Sequence, residues 1–100
     1  MLFCRVTGTA VCTVKDPNLT GFKILIVQPV LPSNKTTGSP FAALDTVGAG
    51  EGEIVCVTQG SAARKAATCS EAVPIDATIV AIVDSLEVDG KRVYAHSGSA

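Results

Sequence analysis

A chain of 100 residues that is 47% apolar can bury the core of one domain, and with 4% aromatic residues and no Trp that core must be built from Val, Ala, Ile and Leu. Eight Lys and Arg against nine Asp and Glu give a net charge of −1, with the basic residues spread along the chain. This excludes the concentrated basic patch that a nucleic-acid or anionic-membrane surface requires. The richness in β-branched residues favours strands over helices.

Residues 2–15 alternate, with Cys4, Val6, Gly8, Ala10, Cys12 and Val14 on one face and Arg5, Thr7, Thr9 and Thr13 on the other. Period two predicts a strand with one buried face, and Gly8 would ease a bend in it. The turn-forming stretch KDPNLTG follows, then a second strand over 22–30 ended by Pro29 and Pro32. An exposed loop is expected over 31–40, a short strand over 41–47, the glycine-rich stretch DTVGAGEG, and a fourth strand over 53–58. GSAARKAA (60–67) changes character: Ser61 can cap a short helix whose Ala residues favour that form. A long strand over 74–88 and its partner over 91–97 meet at Asp89-Gly90, the strongest hairpin signal in the chain. These elements predict one mostly all-β domain spanning 1–100, a small closed β-barrel with one short helix.

ILIV, IVCV and IVAIV are apolar at consecutive positions, whereas a barrel strand should be polar on its outer face. Monomers rarely expose large apolar patches, so the pattern predicts an obligate oligomer.

Catalytic devices are sparse. The single histidine, His96, is expected to be exposed near the C-terminal tail, where it cannot serve a Ser-His-Asp or Cys-His device. Cys4, Cys12, Cys56 and Cys69 form no CxxC pair and are expected as buried, reduced thiols; no metal or cofactor site is expected. MLFCRVTGTAV lacks the basic start of a secretory leader, and no apolar run reaches the length of a membrane span. Asp45, Glu51 and Glu53 lie close together in sequence, and an acid–base enzyme using them is one alternative function; an oligonucleotide-binding barrel is another. The four aromatics, Phe3, Phe22, Phe41 and Tyr94, sit near strand ends and make a poor stacking platform. GAGEG is no phosphate loop, because its third glycine comes one place early, a strand follows it, and Glu51 and Glu53 would repel a phosphate. The remaining reason for its glycines is steric: they take special backbone angles and let another backbone approach, as at a symmetry axis where identical loops converge.

RVTGTAVCTVKDPNLTGFKILIVQ, ALDTVGAGEGEIV, GSAAR and PIDATIVAIVDSLEVDGKRVY, spanning about residues 3–94, resemble the vertex proteins of bacterial microcompartments. These are the pentameric shell proteins of carboxysomes and of the ethanolamine- and propanediol-degrading organelles. Two departures bear on the type of organelle: Ile54 stands where the family often has Trp, and the 31–40 loop carries an unusual SNKTTGSP. The resemblance implies a barrel related to the oligonucleotide-binding fold and assembled as a five-fold ring, with six copies as the variant to test for. It implies a structural, non-enzymatic role in the cytoplasm: capping shell vertices beside hexameric and trimeric shell proteins, without nucleic acid or membrane. On that frame Gly48, Ala49, Gly50, Ser61 and Ala62 are expected at the five-fold axis and its narrow opening. Asp45, Glu53, Arg64 and Asp76 are expected at the subunit interface, Arg64 because a planar guanidinium suits a carboxylate or carbonyl across a contact.

Overall fold

The computed structural model describes residues 1–11, 22–60 and 76–96. Seven strands run through them: β1 Leu2–Ala10, β2 Lys23–Val30, β3 Phe41–Asp45, β4 Ile54–Gln59, β5 Ala77–Ile82, β6 Ser85–Val88 and β7 Lys91–Ala95. The first five close a barrel in the order β1-β2-β3-β5-β4, and β6 and β7 form a separate two-stranded sheet. All barrel pairs are antiparallel except the short β3–β5 pair, Leu44 with Thr78 and Asp45 with Ile79, which completes the closure. The Thr46 hydroxyl reinforces that seam by donating to the Ile79 carbonyl at 2.8 Å. This is the expected all-β, closed-barrel class; the helix expected at 60–67 lies outside the described residues apart from Gly60, as do Cys12 and Cys69.

The barrel interior is filled by Cys4, Val6, Leu25, Val27, Ala43, Ala49, Val55, Val57, Ala77 and Ile79. Small and β-branched side chains suit so narrow a barrel. The neighbouring strands place Leu25 and Val27 inward, so Ile24 and Ile26 face outward.

Three expectations are corrected. The even-numbered face of β1 does not run unbroken. Val6 pairs with Val27, but the next pair is Gly8 with Ile26, so Thr7 is an extra residue and the register shifts there. One inserted residue flips the alternation, so Gly8 and Ala10 stand opposite the outward Ile26 and Ile24 rather than continuing the inward row of Cys4 and Val6. The bend expected at Gly8 is therefore a bulge. Second, β2 fills the expected 22–30 span to within one residue, but Pro29 does not end it, because the strand runs on to Val30. A missing N–H costs little one residue from a strand end, and the Pro29 carbonyl is used by Thr37 N–H at 3.0 Å. Third, the strand expected over 74–88 breaks at Val83 and Asp84. Val83 N–H turns to the Ile54 carbonyl and the Asp84 carbonyl accepts from His96 N–H, both at 2.8 Å. The chain thus leaves the barrel wall and enters the β6–β7 hairpin, whose corner residues Asp89 and Gly90 have φ of 54° and 77°, as a type I′ turn requires.

Candidate assembly corner

The glycine corner between β3 and β4 is shaped from three sides. At its start, Asp45 is only 6% exposed. Its carboxylate accepts three backbone N–H groups, from Val47 at 3.0 Å and Gly48 at 3.1 Å on Oδ1 and from Ala49 at 3.0 Å on Oδ2. An Asp followed by small residues commonly bonds the backbone ahead of it, and here it reels in the whole loop entrance. Gly48 and Gly52 take φ of 75° and 86°, angles that a Cβ disfavours.

In its middle, Gly50 N–H donates to Glu53 Oε1, and His96 Nε2 donates to Glu53 Oε2. The His96 and Glu53 side chains are 21% and 20% exposed. The His96 bond first, and the Gly50 N–H second, hold the Glu53 carboxyl below its usual value, although burial pushes the other way. At its end, Gly52 N–H donates to the Val6 carbonyl at 2.8 Å, and Val6 N–H donates to the Glu53 carbonyl at 2.9 Å.

Arg5 joins this corner to two other elements. Its Nη1 donates to the Gly52 carbonyl at 2.8 Å, its Nη2 donates to Asn34 Oδ1, and its guanidinium carbon lies 5.7 Å from the centre of the Tyr94 ring. Asn34 has φ of 70° and donates from Nδ2 to the Val93 carbonyl at 3.5 Å. The Tyr94 hydroxyl accepts Ile54 N–H at 3.2 Å. The 31–40 loop is further fixed by Gln28, whose amide donates to the carbonyls of Pro29, Thr37 and Gly38.

The expected site residues therefore fall into distinct places. Gly48 and Gly50 are exposed on the corner, whereas the Ala49 methyl turns into the barrel core at 4% exposure. Asp45 and Glu53 act within their own chain as anchors of the loop. Asp76 is exposed, and its carbonyl accepts Gly60 N–H at 2.8 Å. Ser61, Ala62 and Arg64 lie outside the described residues. His96 is corrected from an exposed tail residue to a partly buried partner of Glu53, because the β6–β7 hairpin carries it back to the corner. Arg5, Asn34 and Tyr94 were not singled out as site residues from sequence.

For the acid–base alternative the arrangement is unhelpful. Asp45 spends both carboxylate oxygens on the loop itself, Glu53 divides its two between Gly50 of the loop and His96, and Glu51 is exposed. Among the described residues no group of three His, Cys, Asp or Glu side chains could hold a metal ion. Cys4 and Cys56 are both free thiols, Cys4 buried as expected and Cys56 half-buried. No helix among the described residues is long and apolar enough to cross a membrane.

Comparison with known proteins gives this corner its context. The carboxysome shell vertex protein CcmL of Synechococcus elongatus is 39% identical over 94 residues, covering 94% of this chain and 94% of that protein. The bacterial microcompartment shell vertex protein EutN of Escherichia coli K12 is 41% identical over 96 residues, covering 96% and 99%. The solved structure of the GrpN pentameric microcompartment shell protein from Rhodospirillum rubrum superposes with a TM-score of 0.77 at 42% identity, covering 88% of this chain and 99% of that one. These relatives are named as shell proteins and not as enzymes, which leaves the acid–base alternative without support. The sequence model described as "Ethanolamine utilisation protein EutN/carboxysome" matches residues 1–84, and with relatives alike over nearly their whole length, the chain belongs to that family.

Proposed function

We propose that this chain, read as one domain, is a structural vertex protein of a bacterial microcompartment shell. Five copies close a ring that sits in the cytoplasm among hexameric and trimeric shell proteins and binds neither nucleic acid nor membrane. The observation that carries the reading is the outer wall of the barrel. Ala10 and Ile24 stand side by side in register on the outward side of β1 and β2, with Ile26 one step along, and all three keep partial exposure in the single chain, where an isolated barrel would carry polar residues; Leu44, paired with Ile24, is already buried. A second copy covering that wall would remove apolar surface from water at roughly 25 cal/mol per Å². The balanced charge and the commitment of Phe41 to the core and Tyr94 to Arg5 count against single-strand binding.

Within the ring, Gly48, Gly50, Ser61 and Ala62 line the axial opening. Arg64 reaches a carboxylate or carbonyl of the neighbouring copy. A sheet of hexagons alone cannot close, and five-fold units supply the missing curvature. The test is co-production with hexameric shell proteins of the same family of organelles. Closed polyhedra that contain this chain, and open sheets or tubes without it, are the expected pair of results. Shells that close equally well without it, or that exclude it, contradict the proposal.

A further inference from the structure

We infer that Arg5 is a positioning residue for ring assembly, a clamp that fixes the glycine corner in the one shape in which copies meet. The inference rests on the assembly reading above. The corner from Gly48 to Gly52 is rich in glycine and would otherwise sample many conformations, each of which must be given up when a ring forms. Asp45 restrains its first half through three N–H bonds, and Glu53 restrains Gly50. On the carbonyl side of Gly52 the described side-chain restraint is the Arg5 guanidinium.

The same group also bonds Asn34 in the 31–40 loop and lies over Tyr94 of the β6–β7 hairpin. Three segments distant in sequence thus meet at one cation. A planar fork can serve a carbonyl and an amide oxygen at once while its face lies against a ring; a lysine ammonium lacks that fork. Preorganisation of this kind strengthens association by lowering what must be ordered at the contact, without adding a single atom to the interface.

The experiment compares wild type, Arg5→Ala, Arg5→Lys and Asn34→Gly, the last keeping a residue that tolerates φ of 70° while removing the amide. Ring dissociation on dilution is followed by native mass spectrometry, and amide exchange is read at Gly48–Gly52 and in β4 and β5. The expected result for Arg5→Ala is dissociation at about tenfold higher concentration. Exchange at the corner should be faster while β4 and β5 stay protected, and Arg5→Lys should give only partial rescue. Asn34→Gly should show the same selective pattern more weakly. Rings and corner exchange that are unchanged in both Arg5→Ala and Asn34→Gly overturn the inference, as does a uniform rise in exchange across the barrel, which marks a purely structural role. A wild-type chain that forms no ring is a separate result and overturns the assembly reading on which the inference rests.

Discussion

Replacement of Asp45 by Ala tests how the corner is held. The substitution removes the acceptor for three N–H groups at 3.0, 3.1 and 3.0 Å. Val47 and Gly48 are exposed, so their N–H groups can return to water at a loss of roughly 0.5–1 kcal/mol each. The Ala49 N–H bond is buried, and leaving that donor unpaired costs about 1–3 kcal/mol. Loss of the charge on the acceptor makes the upper part of each range the better guide, so the sum is about 4–5 kcal/mol. For a chain of this length that lowers the melting temperature by roughly 16–40 °C. Asp45→Asn keeps one acceptor oxygen but turns an NH2 toward a donor, and should lose about half as much. Thermal and urea unfolding at one fixed protein concentration, followed by circular dichroism, measure both variants. A loss below about 1 kcal/mol for Asp45→Ala, the size of an ordinary surface change, would refute the view that this carboxylate shapes the loop.

Glu53 gives a pH prediction. Its folded carboxyl is held below the usual value, chiefly by His96, so its contribution is fully present above the unfolded value and is lost as pH falls through the folded one. The stability gap between wild type and Glu53→Gln should be widest above about pH 4.5 and close below it; a gap that widens on acidification contradicts the assignment. Burial first, and the neighbouring Cys56 second, push the Cys4 thiol up to about 11 from 9.0. At equal pH its thiolate is then about a hundredfold scarcer than in the unfolded chain, and iodoacetamide labelling of Cys4 at pH 8 should be slower by at least that factor. Comparable rates in the folded and unfolded chains contradict it. Gly48→Ala adds a Cβ that meets nothing within 4 Å in its own chain, so its intrinsic cost is the backbone strain of φ 75°, about 1–2 kcal/mol. A larger loss in ring formation than in chain stability is expected if copies crowd at Gly48, and equal losses count against that crowding.

The strands were legible because their signals are local. Alternation in β1, the apolar runs of β2, β4 and β5, and Asp89-Gly90 each specify a short piece of backbone without reference to the rest of the chain. The bulge at Thr7 was not legible, because the even-numbered positions stay small and apolar beyond it and the register shift depends on β2. The break after Ile82 was hidden in an apolar run that continues past it, and only pairing distributes that run between barrel and hairpin. Asp45 ahead of Val47-Gly48-Ala49 carried a readable turn signal that points to backbone capture inside the loop. Arg5 with Gly52 and His96 with Glu53 are 47 and 43 residues apart in sequence, and no local pattern joins such partners before the barrel brings them together.

The central claim is that the apolar outer wall is covered by further copies of this chain. Native mass spectrometry of the purified protein at micromolar concentration tests it most directly. The account predicts a dominant particle of five times the 10.2 kDa chain mass, persisting on moderate dilution. A folded, soluble monomer that stays single as concentration rises would contradict it, and a six-copy particle would keep the covered wall while removing the vertex role.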